Sequence, residues 1–185
     1  MNGGYQHQNY RPLAWNDAVV SAFAAGRPPG ITPAPDAQLG TTGLWMPTLE
    51  DGKSQGLMVS LQLPHGYKPG GLLRFHVHYI PSTVDTGFIN LRLAYQIASV
   101  HGAISLTTNQ DAGADLRHAA PGAIQHHIST THVVVPTGIK ESACLIGKLY
   151  RLHDANDTFV GDVHFWSADL HLELEKPGTR NEWPS

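Results

Sequence analysis

The sequence is poor in the features on which many protein classes depend. It has a single cysteine, Cys144, so no disulfide can form within the chain. Only 15% of its residues are charged, against roughly 25% in an ordinary soluble domain, and the formal net charge is −3. Because DNA binding normally requires a basic face, this composition argues against a direct nucleic-acid partner. A surface with so few charges is typical of proteins that are buried in an assembly.

Signals for membranes, secretion and catalysis are also missing. The chain has no run of eighteen apolar residues and no apolar signal-peptide region, so we expect a soluble protein made in a cytoplasm. It has no G-x-S-x-G, Walker or G-x-G-x-x-G motif, and we therefore expect neither an enzyme nor a bound cofactor. Cys144 lies in an apolar run and is predicted to be a buried thiol.

The first fifty residues contain only five charged side chains but six of the thirteen prolines. Such a segment cannot close a hydrophobic core of its own, so we predict an extended N-terminal arm over residues 1–43. Within it, a possible cap at Asn16 and a stop at Gly26 predict one short helix. Aromatic anchors dominate interface energetics, and the arm and the C-terminal tail offer Tyr5, Tyr10, Trp15, Phe23 and Trp183.

From residue 44 onward the hydrophobic period is two, which predicts β-strands. The candidates are 44–50, 57–63, 73–79, 90–97, 103–108, 124–135, 142–152 and 159–175, with a polar loop at 109–123. In the last run the apolar positions change from odd (Val163, Phe165) to even (Leu170, Leu172), which predicts a β-bulge or a break near 166–168. About eight strands predict an all-β jelly roll or related sandwich over residues 44–185, ending in a short tail.

Two histidines provide the main candidate for chemistry. His76 and His78 share one face of a predicted strand, and with Gly70 they resemble the opening of the cupin signature. The glutamate that this signature requires is replaced by Ser82 or Thr83. We therefore expect these imidazoles to form hydrogen bonds without a metal. A cupin-like metal enzyme using His76 and His78 remains the alternative.

Two further alternatives concern ligands. The loop with Asp154, Asn156, Asp157 and Asp162 is rich in oxygen ligands but lacks EF-hand spacing, so we expect a plain turn there and not a calcium site. The four tryptophans Trp15, Trp45, Trp166 and Trp183 are expected to fill the core and cover interfaces, with a glycan-binding module as the alternative.

Four segments resemble virion proteins of tailed bacteriophages. They are LPHGYKPG at 63–70, FHVHY at 75–79, DTFVGD at 157–162 and GTRNEW at 178–183. The resemblance implies a jelly-roll capsid cement or decoration protein on the outer surface of the virion. Its partners would be the major capsid protein and itself, as a homotrimer, and it implies no catalytic residues. A head-to-tail or tail-associated role is the alternative, and the N-terminal arm lies outside the resemblance.

Overall fold

A computed structural model describes residues 14–21, 25–26, 32–104, 110–111, 116–121, 124–133, 135 and 137–175, with the backbone alone at 14, 110–111 and 116–121. All secondary-structure elements of these residues are β-strands, which confirms the all-β class. No helix of these residues has the length and hydropathy to cross a membrane. The strands are β1 (Ala14–Ser21), β2 (Thr32–Pro33), β3 (Asp36–Gln38), β4 (Trp45–Leu49), β5 (Gln55–Gln62), β6 (Leu73–Pro81), β7 (Thr86–Ala98), β8 (Gln110–Asp111), β9 (Leu116–Pro121), β10 (His127–Val133), β11 (Cys144–Arg151) and β12 (Val163–Leu174).

The strands form two sheets in a sandwich-like arrangement. The first sheet has the order β10-β6-β12-β4-β3, and β1 also pairs with β12. The second has the order β2-β5-β11-β7-β8, and β9 also pairs with β7. Neighbours are antiparallel except for the two-residue parallel pair of β2 and β5.

The alternation in the sequence decides which side chains enter the core. In β6, for example, Phe75, Val77 and Tyr79 are at most 1% exposed, whereas Arg74, His76 and His78 are only partly buried. Burial of each large apolar side chain stabilises the fold by roughly 1.5–3 kcal/mol. The core side of β6 therefore consists of large apolar and aromatic side chains, and its arginine and histidine side chains lie on the outer face.

The predicted β-bulge in β12 is confirmed. Phe165 pairs with Tyr79 and Ser167 with His78, so Trp166 is the extra residue and is 50% exposed. After the bulge, Leu170 and Leu172 face the core. Without the extra residue, odd positions such as 165 and 169 would both face the core. The bulge shifts the alternation by one residue, so the Asp169 side chain lies on the outer face.

The predicted helix at 16–26 is wrong, because residues 14–21 form strand β1. All eight residues pair with β12 from Ser167 to Leu174. A helix of this length is marginal in water, whereas the edge of β12 offers a full set of backbone partners and suits the β-branched Val19 and Val20. The described part of the arm therefore lies on the sandwich, and Val20 and Ala34 belong to its core.

Two other predictions need correction. The predicted loop at 109–123 contains β8 and β9, which pair with β7 although their short sequences show no clear alternation. Cys144 is exposed and not buried. Cys144 is the first residue of β11 and points outward, whereas Leu145 and Leu149 lie on the opposite side of the strand and face the core. Of the candidate strand 103–108, residues 103–104 have no regular structure and the rest lie outside the described residues.

Candidate functional site

The outer face of the first sheet gathers polar and aromatic side chains from neighbouring strands. Registers place Asp17 opposite His171, Val19 opposite Asp169, and Asp169 opposite His76. Because each of these is an outward position of its strand, the side chains form cross-strand rows on one surface. The rows contain the two histidines that the sequence singled out.

Asp169 lies at the centre of this face. Its carboxylate Oδ2 is 2.6 Å from His78 Nε2, and its Oδ1 is 3.2 Å from His76 Nδ1. The residue is only 5% exposed, and Oδ1 has no hydrogen-bond partner among the residues that the structure describes. A buried carboxylate oxygen without a hydrogen bond is costly, so this atom is suited to accept a ligand.

Aromatic rings extend the cluster in both directions. On one side, His78 Nδ1 lies 2.8 Å from His126 Nε2, and the His126 ring contacts Trp166 at 5.4 Å. On the other side, His76 stacks on His171 at 5.3 Å, and His171 stacks on Trp15 at 4.5 Å. Each of the two imidazoles that face Asp169 is therefore stacked on another histidine ring.

The electrostatic environment favours neutral imidazoles. Burial lowers the pKa of His76 by more than the Asp169 carboxylate raises it. Burial also lowers the pKa of His126, and the neighbouring His78 adds to that effect. His76 and His126 are therefore neutral at neutral pH, the form in which an imidazole nitrogen has a lone pair for a metal or a hydrogen bond.

An apolar groove of about 400 Å³ borders the cluster on the same side of the sandwich. Its walls carry the exposed side chains of Val19, Leu44, Trp45 and Trp166. Leu39 and Met46 also line it. Large apolar side chains grouped at one surface mark sites of interaction with other molecules.

The structure brings together only part of the predicted site. His76 and His78 share the outer face as expected, and Trp15 is 40% exposed beside them, with the Arg74 guanidinium 5.5 Å from its ring centre. Tyr5, Tyr10, Phe23 and Trp183 lie outside the described residues. Sequence reasoning missed Asp169, although the change of hydrophobic phase at 166–168 indicates that this residue turns outward.

The oxygen-rich loop after β11 is a turn, as the sequence predicts. Both carboxylate oxygens of Asp157 accept hydrogen bonds from Arg151. Asp154 accepts hydrogen bonds from the Asn156 backbone and from the Asn90 amide, and Asp162 accepts one from the Asp51 backbone. These oxygens hold the loop together.

No protein-family model matches this chain, and no curated protein matches its sequence significantly.

Proposed function

We propose that the chain is a structural protein of a bacteriophage virion, a capsid cement protein that binds the major capsid protein on the outer surface of the head. The observation that carries this proposal is the apolar groove with Trp45 and Trp166 on the outer face of the first sheet. Exposed tryptophans beside a concave apolar surface are the anchors that protein partners use most.

We further propose that the sandwich is a jelly roll. If β4, β5, β6, β7, β9, β10, β11 and β12 are lettered B to I, the sheet orders are B-I-D-G and C-H-E-F. This is the order of two nested Greek keys, the arrangement of jelly rolls in viral capsid proteins. The order supports the proposal together with the sequence resemblance to phage virion proteins.

The physical properties suit a cement protein. The β-sandwich is a rigid domain. Because its surface has few charged side chains, burying that surface against a partner carries a low desolvation cost. Each Å² of apolar surface that it buries contributes roughly 25 cal/mol before the cost of association is subtracted. A homotrimer would place three such grooves on one particle and strengthen binding through multivalency.

The test is co-sedimentation of the purified chain with capsids of the encoding phage that lack it, together with native mass spectrometry of the free protein. We expect a trimer that sediments with the capsids. Trp45→Ser and Trp166→Ser should each weaken binding at least about 30-fold, because anchor residues contribute about 2 kcal/mol or more.

Ile146→Ser is the matched control, since Ile146 is 44% exposed and belongs to the second sheet. It should leave binding unchanged. A deletion of residues 2–13 tests the rest of the arm without removing the core residues Val20 and Ala34. The proposal is wrong if the parent does not sediment with capsids. It is also wrong if a variant that combines Trp45→Ser and Trp166→Ser binds as well as the parent.

A further inference from the structure

We propose that His76, His78 and Asp169 form a binding site for a divalent transition-metal ion of the zinc class. One ligand atom from each residue lies within 4.8 Å of the other two. Two imidazoles and one carboxylate on adjacent strands form a donor set that suits zinc, iron and related first-row metals. This inference replaces the metal-free arrangement expected from the sequence, because the fold adds Asp169 to the two histidines. It does not depend on the proposed capsid function.

The geometry is close to that of a bound ion. Ligand atoms about 2.1 Å from a tetrahedral zinc ion lie about 3.4 Å from one another. The Asp169–His76 and Asp169–His78 contacts, 3.2 and 2.6 Å, are already no longer than that. The widest separation would close by about 1.4 Å or less, which rotation of the side chains can supply.

The orphaned Oδ1 of Asp169 is the independent reason to expect a ligand. This atom is buried and makes no hydrogen bond within the described part of the chain, although two imidazoles lie beside its carboxylate. A carboxylate that is only 5% exposed is costly unless its charge and lone pairs are compensated. A metal ion between the three residues would compensate both.

The surroundings match those of metal-binding histidines. When His78 Nε2 binds the ion, its Nδ1–H donates to His126 Nε2, which already lies 2.8 Å away. Such an outer hydrogen bond fixes the tautomer and the ring orientation of the ligand. With the ion at Nε2 in place of the hydrogen bond to Asp169, the single proton of the neutral His78 imidazole lies on Nδ1.

The position also permits entry from solvent. The side chains of His76 and His78 are 20% and 19% exposed, so an ion can reach the site without opening of the sandwich. Three protein ligands leave at least one coordination position for water. Because β6 and β12 each supply ligands, binding would cross-link the two central strands of the first sheet.

The test uses the full chain, stripped with a chelator and then titrated with Zn²⁺ alone. Native mass spectrometry should show tight binding of one ion to the site. The midpoint of thermal unfolding should rise by about 5–10 °C at a free Zn²⁺ concentration one hundred times the dissociation constant. Mg²⁺ should produce no rise, since it prefers an all-oxygen site.

Variants separate this site from the other histidines of the chain. Asp169→Asn keeps the shape but removes the charge, and it should abolish the Zn²⁺-induced rise, as should His78→Gln. His126→Gln should weaken zinc binding about 10–100-fold, the usual effect of losing an outer hydrogen-bond partner. His132→Gln, an exposed position on the adjacent strand β10, is the control and should change nothing.

Each variant is compared with itself with and without Zn²⁺, so a change in basal stability does not obscure the result. If the parent shows no Zn²⁺-induced rise, the proposal is overturned. It is equally overturned if Asp169→Asn binds the same number of ions with the same affinity as the parent.

Discussion

Replacement of Arg151 tests the polar interaction on which the loop after β11 depends. The Arg151 side chain is 0% exposed, and its guanidinium makes a two-pronged contact with Asp157 at 2.7 and 2.8 Å. It also donates to the backbone carbonyls of Gly161 and Phe159 at 2.7 and 2.8 Å. Arg151→Met keeps most of the volume and removes all of these hydrogen bonds.

The expected loss follows from what remains behind. The Asp157 side chain is also 0% exposed, so the substitution leaves a buried carboxylate without its cation. Breaking a buried ion pair in this way typically costs about 3–5 kcal/mol. For a protein of this size, that loss lowers the midpoint of thermal unfolding by about 6–20 °C.

The assay is urea unfolding followed by tryptophan fluorescence, with thermal unfolding as a second measure. Lys53→Met is the matched control, because Lys53 pairs with Glu50 at 2.9 Å but its side chain is 56% exposed. Exposed pairs contribute no more than about 1 kcal/mol. Arg151→Lys should lie between the two, since lysine keeps the charge but not the two-pronged geometry. If Arg151→Met costs no more than Lys53→Met, the assignment of Arg151 as the organiser of this loop is wrong.

Three other predictions concern pH and packing. Burial lowers the pKa of His164 from its ordinary value of 6.5, so the folded state favours the neutral imidazole. The free energy of unfolding should therefore be retained above pH 6.5 and should decrease below it. In thermal unfolding between pH 7.5 and 5, the midpoint should decrease less steeply for His164→Asn than for the parent. Gly87→Ala should lower the free energy of unfolding in urea by about 1–3 kcal/mol, because the added Cβ would lie 2.6 Å from a backbone oxygen. Gly147→Ala is the control and should cost less, because its Cβ would lie 2.9 Å from the end of a flexible leucine side chain. Leu170→Ala truncates a fully buried side chain and should lower the free energy of unfolding by about 2–5 kcal/mol. Val19→Ala changes an exposed side chain and should lower it by less than about 0.5 kcal/mol. Equal losses would contradict the inner and outer faces assigned to the first sheet.

Local pattern was sufficient for much of the sandwich. Alternation predicted the strands β5, β6, β7 and β11 and the side chains that fill the core, because each strand has one buried and one outer face. The same reasoning located the bulge, since a change of phase can arise only from an inserted or missing residue. It failed for β1, where cap-like residues suggested a helix and pairing with β12 prevailed.

The candidate site was only half visible in the sequence. His76 and His78 are two residues apart, so their shared face follows from the strand period alone. Asp169 is 91 residues from His78, and their contact requires both the pairing of β6 with β12 and the bulge that turns Asp169 outward. Arg151 likewise gave no sign of burial, because its partners come from a loop that folds back over the end of β11.

The sequence by itself determined the all-β class, the positions of most strands and the shortage of charge, because these depend on composition and short-range periodicity. Tertiary structure alone decided the strand order, the pairing of β1 and the meeting of two histidines with a buried carboxylate. Such contacts depend on which strands become neighbours, and neighbours are chosen by the packing of the whole core and not by any single segment.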